Sequence, residues 1–267
     1  MREAARTTTV LPSTEADTNG QGSVVRPFLH PNPLPEGEGE GSKPSPSRPG
    51  ALLHLLTWFS PAFPTGGFAY SHGLEWAVEA GDIRNEPGLA AWLEDVLRHG
   101  AGRSDAILLR HAHRASDLPA LMELAELAAA AQPSRERQAE TLGQGGAFAL
   151  AASVWGAPLL TALLDAGGPA PYPIAIGALA AAHGIAEDDA TLGLLHAFTA
   201  NLVSAAVRLV PLGQTAGLRV LAMLEATVAE AAADTGSATL DDLGGACFRS
   251  DIAAMRHETQ YTRLFRS

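Results

Sequence analysis

The densest run of chemically capable side chains is Arg256-His257-Glu258-Thr259-Gln260-Tyr261-Thr262-Arg263-Leu264-Phe265-Arg266-Ser267. Its His257-Glu258-x-x-Tyr261 is one residue away from the H-E-x-x-H helix of zinc proteases. That motif works because two histidines four apart leave one helical face and converge on zinc. Here tyrosine holds the second position, and a phenol stays protonated at neutral pH. One histidine and one glutamate are too few for a zinc site. From Arg249 onward there are four arginines against two acids, a net of +2, whereas residues 51–248 hold nine arginines and twenty-one acids, a net of −12. Tyr261, Leu264 and Phe265 fall at i, i+3 and i+4, while Arg256, Arg263 and Arg266 supply planar donors. Tyrosine and arginine are enriched at interface hot spots. The segment either docks on another protein, the preferred reading, or folds back on the chain's own acidic helices. Docking predicts that truncation after Ser250 leaves a folded helical body.

A second stretch runs Ser60-Pro61-Ala62-Phe63-Pro64-Thr65-Gly66-Gly67-Phe68-Ala69-Tyr70-Ser71-His72-Gly73-Leu74-Glu75. Two prolines and two glycines predict a rigid, tightly turned loop. Ser71-His72-Gly73 resembles the end of a G-x-S-x-G elbow, but Ala69 replaces the first glycine and no strand precedes it. His72 and Glu75 are three apart and could share a metal. Packing of His72 beside Tyr70 is the preferred alternative. His111 and His113 point about 200° apart on a helix and cannot chelate together. His54, His99, His183 and His196 are isolated. Gly143, Gly145 and Gly146, around Gln144, lie in a helical pattern, so they predict close helix crossing or a kink rather than a dinucleotide fingerprint. Arg208 sits in an apolar run and needs either an internal partner or another protein.

The chain of 267 residues is 46% hydrophobic, with a net charge of −11. That charge argues against nucleic acid as a partner. Lys43 is the only lysine and lacks a P-loop around it; Cys247 is the only cysteine, which excludes an internal disulfide and a cysteine-rich metal centre. Every apolar run of membrane-spanning length is broken by charge, proline or a glycine cluster, and the N-terminus does not read as a signal peptide. A cytoplasmic protein, with no membrane partner, is the expectation.

Residues 1–50, rich in proline, glycine and serine, cannot bury enough apolar surface to fold and read as a disordered tail. The rest, 51–267, reads as one all-α domain, a bundle of about eight to ten helices, with a docking segment at 249–267. Leu89, Trp92, Leu93, Val96 and Leu97 trace a helix from Glu86-Pro87 to Gly100. Ser104, Asp117 and Ser134 are expected to open helices, the last reaching Trp155. Pro173 to His183 is short, almost wholly apolar and expected to be central. Glu187–Val210 and Leu212–Ala233 are long helices, and Asp241–Phe248 is a last short turn or helix. No stretch alternates with period two.

Three blocks carry a resemblance. They are Ser60-Pro61-x-x-Pro64-x-Gly66-Gly67-Phe68-x-Tyr70-Ser71-His72-Gly73-Leu74-Glu75, then Arg208-Leu209-Val210-Pro211-Leu212-Gly213-Gln214, then Asp251-Ile252-Ala253-x-Met255-Arg256-His257-Glu258-Thr259-Gln260-Tyr261-x-Arg263-Leu264-Phe265-Arg266-Ser267. Together, from about Leu52 onward, they resemble the urease accessory protein UreF family. The resemblance implies an all-α, cytosolic, non-enzymatic chaperone that homodimerises. It implies assembly with the scaffold UreD (UreH in some bacteria) and the GTPase UreG on the urease apoprotein, nickel(II) in transit, and GTP on the partner. A GTPase-activating role is implied more weakly. By matching motif, Arg256, His257, Glu258, Tyr261, Arg263, Leu264, Phe265 and Arg266 become partner-binding candidates. Gly66, Gly67, Phe68, Tyr70, His72 and Glu75 join them, with Arg208. His72 is the one candidate for transient nickel contact; no tightly bound cofactor and no catalytic residue is expected. The competing reading is a small all-α metal-dependent hydrolase using His72, Glu75, His257 and Glu258.

Overall fold

The computed structural model describes residues 48–267. The expected tail lies outside them, except for residues 48–50, which already form a first helical turn. The described residues are all-α, as expected. Eleven α-helices run in order: α1 (Arg48–Trp58), α2 (Leu74–Glu79), α3 (Glu86–His99), α4 (Ala101–Arg114), α5 (Leu118–Ala130), α6 (Arg135–Ala152), α7 (Pro158–Asp165), α8 (Tyr172–Ala182), α9 (Glu187–Leu209), α10 (Gln214–Asp234) and α11 (Phe248–His257).

Local chemistry sets most boundaries. Asn85, Asp117 and Ser134 each accept an N–H from the first turn of α3, α5 and α6, at 2.9, 2.9 and 3.2 Å. Pro87 and Pro119 sit in first turns, where their missing N–H has no helical partner to lose. Ser104 does not cap. Gly100 alone ends α3 and begins α4, so no loop remains for a separate cap, and Ser104 lies inside α4. The expected turn at Asp241–Phe248 is a 3-10 turn at Leu240–Asp242, followed by the unforeseen α11.

The core has two main centres. One surrounds α8, whose residues Pro173–Ala180 are all buried, and draws on α1, α4, α5, α6 and α7. The other joins α2, α3, α9, α10 and α11 through Leu74, Leu93, Val203, Leu224 and Ala253. Close approach between α6 and the segment entering α8 needs Gly145, because a Cβ there would lie 1.8 Å from the Ala170 carbonyl oxygen. The expected role of that glycine cluster in helix crossing is thus seen at Gly145. One described helix, α9, is long and apolar enough to cross a membrane by length and composition, at mean hydropathy 1.4. This corrects the expectation that no stretch qualifies. Half of that window is buried, Glu187, Asp188 and Asp189 open the helix, and Leu194, Leu195 and Leu202 lie in the core.

Candidate functional site

The glycine-proline loop and the C-terminal segment, far apart in sequence, meet. After Gly67–Ala69, a single 3-10 turn, the chain passes through Tyr70 and Ser71 to His72 and Gly73, both in the left-handed region (φ 61° and 76°). This reversal aims α2 at α11. A Cβ on Gly73 would sit 2.6 Å from the Ala254 nitrogen. The Ser71 N–H donates to the Ser267 carbonyl at 2.7 Å, its hydroxyl reaches the same oxygen, and the Arg266 N–H donates to Ala69 at 2.8 Å.

Carboxylates of the helical body grip the segment, Glu75, Glu136 and Glu140 foremost. Glu75 accepts from the Leu264 and Phe265 amides (2.7 and 2.9 Å) and faces His257 Nε2 at 3.1 Å. Glu136 meets His257 Nδ1 and Arg263, both at 2.6 Å. Glu140 accepts the Ser267 hydroxyl at 2.6 Å and pairs with Arg137. His257 is fully buried between two carboxylates. Gln260 donates to Glu79 at 2.5 Å, and Glu258 accepts the Arg135 N–H at 2.9 Å, supporting the start of α6.

Burial alternates along the end of the segment. Leu264 and Arg266 face outward, while Phe265 and Ser267 face inward. The Arg208 guanidinium lies 4.3 Å over the Phe265 ring. Tyr261 is fully exposed, and Phe68 and Leu264 are 72% and 66% exposed. The candidates therefore separate by geometry. Arg256, Tyr261, Arg263, Leu264, Arg266, Phe68 and Arg208 reach the surface, and Gly66 and Gly67 are half-buried. Tyr70, His72, Glu75, His257 and Phe265 are buried, and Glu258 is half-buried against α6. As described, these inward side chains support the surface rather than line it. The fold-back geometry is what is seen, which corrects the idea of a detachable segment. Truncation after Ser250 would strip α11 and Phe265 from the body and leave Glu75, Glu136 and Glu140 without these partners.

The four residues of the hydrolase alternative do not share one open centre. Glu75 and His257 satisfy each other in the interior, and Glu258 points to α6. His72 lies edge-on to Phe198 (5.0 Å between centroids), its Nδ1 3.6 Å from Glu140. Burial and the nearby Arg137 charge lower its pKa to about 4, so it is neutral at pH 7. Among the described residues, no three His, Cys, Asp or Glu side chains are grouped to hold a metal ion. His111 and His113 each face a main-chain carbonyl, of Ala238 and Ile185.

Beside the loop lies a cavity of about 410 Å3, lined by Phe63, Phe68, Asp105, Arg137, Gln144 and Tyr172 among others. Burial there pushes the Asp105 carboxyl up to about 7, with Glu140 adding to the rise and Arg137 opposing it. A folded-state pKa raised above the ordinary 3.8 stabilises the fold below that value, and the contribution is lost as pH climbs through 7. Asp105→Asn removes the ionisation cost. It is expected to raise stability by roughly 2–4 kcal/mol at pH 8, a gain that shrinks towards zero near pH 4. Thermal melts of both proteins from pH 4 to 8 check this; a gain independent of pH contradicts it.

Glu136 and Glu140 were not singled out from sequence, and Ser71 was weighed only as part of an elbow-like motif. Their signal was there: Glu136 and Glu140 are four apart on α6, an acidic stripe matching the cationic segment.

The comparisons agree on one family. The family model for UreF matches residues 83–225. A urease accessory protein UreF of Bradyrhizobium sp. (strain BTAi1 / ATCC BAA-1182) is 54% identical over 81% of this chain and 92% of its own length. The chain belongs to the UreF family. A second UreF, from Rhodopseudomonas palustris (strain BisB18), is 51% identical over 84% of this chain and 95% of its own. One from Methylobacterium sp. (strain 4-46) is 54% identical over 81% of this chain and 88% of its own. The UreF family match at 83–225 spans α3 through the middle of α10, so neither the loop nor the C-terminal segment lies inside it.

Proposed function

We propose that this chain is a urease accessory protein, an adaptor in the loading of nickel into the urease apoprotein. It joins the scaffold UreD (or UreH) to the GTPase UreG, acts in the cytoplasm and works as a homodimer. Nickel(II) is cargo in transit, and GTP is held by the partner GTPase, whose turnover the adaptor modulates. The relatives' shared name supports the general role. The observation that carries the docking reading is the outward row on the C-terminal segment. Tyr261, Leu264, Arg256 and Arg266 stand exposed on an acidic body, and Arg208 joins them over Phe265.

An adaptor need not bind nickel tightly. It holds two partners in one geometry, so that metal released on GTP hydrolysis meets the apoprotein instead of bulk water. Exposed aromatic, leucine and arginine side chains suit that task, since few residues carry most interface energy.

The test is a charge reversal that spares the fold. Leu264→Asp with Arg266→Glu alters only outward side chains. In cells dependent on this chain for urease maturation, urease activity and its nickel content are expected to fall at least ~100-fold, the scale of two hot-spot losses of about 2 kcal/mol each. The variant's melting temperature stays unchanged. Full activation by the variant would overturn the docking reading.

A further inference from the structure

Glu140 has contacts that an ion pair with Arg137 does not require. The residue is 4% exposed and meets four groups, two on α6 itself and two from other parts of the fold. Arg137 pairs with it from one turn earlier on α6. The Ser267 hydroxyl donates to it at 2.6 Å from the C-terminal segment. His72 approaches it from the loop block. Gln144 Nε2 donates to it at 3.2 Å, and the other end of that amide covers the loop: a Cβ on Gly67 would stand 3.3 Å from Gln144 Oε1. Ser267 is thus clamped from two sides, by Ser71 of the loop block and by Glu140 of α6.

We infer that Glu140, relayed by Gln144, is the positioning residue that locks the Gly66–Ala69 loop and the Leu264–Ser267 segment into one recognition surface. The two segments are otherwise joined by the Arg266 N–H to Ala69 and by the Ser71 N–H and hydroxyl to the Ser267 carbonyl. With Glu140 in place, Phe68 on the loop and Arg266 beside it are presented at fixed spacing. Without it, each segment moves by itself. Glu140 suits the task because its carboxylate stays ionised. Burial alone would raise its pKa, but the charge of the paired Arg137 outweighs burial and holds it well below the usual carboxylate range. A charged acceptor also makes the stronger hydrogen bond to Ser267. This rests on the docking reading for its biological use, but not for its test.

The test is amide hydrogen exchange on the isolated full chain, which needs no partner. In Glu140→Gln, exchange at both the Ser71 and Arg266 amides is expected to rise about 10-fold or more, because a charge-assisted contact is lost. Gln144→Leu keeps the Arg137–Glu140 pair and touches no residue of the C-terminal segment. It is expected to raise exchange at the same two amides about 5-fold, while core amides of α10, such as Leu224, hold their wild-type rates. Should Gln144→Leu leave the Arg266 amide at the wild-type rate, or speed α10 equally, the coupling is refuted and Glu140 serves stability alone. The Leu264→Asp with Arg266→Glu experiment tests docking separately, so the two ideas can fail independently.

Discussion

Glu75→Ala is expected to lower the melting temperature by about 10 °C and to free residues 258–267 from the body. Glu75 is the shared acceptor for the Leu264 and Phe265 amides and for one face of a fully buried histidine. Alanine leaves one buried and one part-buried N–H group and one buried ring nitrogen without that carboxylate. Removing one partner of a buried charged pair costs roughly 3–5 kcal/mol, because the other is left uncompensated. In a domain of this size each kcal/mol moves the midpoint by about 2–4 °C. Glu75→Gln keeps one acceptor oxygen and should fall between the two. Calorimetry with exchange at the Leu264 and Phe265 amides measures both effects. A loss under ~1 kcal/mol with slow exchange retained would mean that other contacts hold the segment.

Gly73→Ala should be almost as damaging, for a different reason. Gly73 has φ 76°, and its missing Cβ faces the Ala254 nitrogen at 2.6 Å and Cα at 2.8 Å. Alanine in the left-handed region costs on the order of 1 kcal/mol. The clash adds more, because the opposing atoms are helix backbone and cannot swing aside. We expect roughly 3 kcal/mol in total. Gly66 is the control: its φ is 72°, yet nothing lies within 4 Å of its Cβ position. Gly66→Ala should cost only about 1 kcal/mol. Denaturant unfolding of the pair separates conformational strain from steric contact. Equal losses would show that α11 does not press on this glycine.

How far the sequence could be read depended on which signal each element carried. Helix α3 announced itself through regular Leu and Trp spacing after Glu86-Pro87, and α5 and α6 through Asp117 and Ser134 at their starts. The central place of α8 followed from its having no polar face. Helix α11 hid because its buried face is Ala253, Ala254 and His257, while Ile252 and Met255 point outward. The apolar periodicity there is inverted, and a helix whose buried side is small and ionic does not register. Helix α7 is short, and its eight residues offer too few turns for a clear apolar period. At the site, the residue types in both blocks were legible, but their facing was not. Glu75 and His257 are four-fifths of the chain's described length apart in sequence and become partners only through tertiary packing. The acidic Glu136/Glu140 pair on α6 was the readable half of that contact, since Glu136 meets His257 and Arg263 and Glu140 meets Ser267.

The most direct measurement is the exposure of Leu264 and Arg266 in the purified assembly of this chain with its UreD-type scaffold, read by exchange or a structure of the complex. The account predicts that both side chains become buried against the partner while Phe265 and His257 keep their internal contacts. Leu264 and Arg266 still facing solvent in an assembly that matures urease would contradict it.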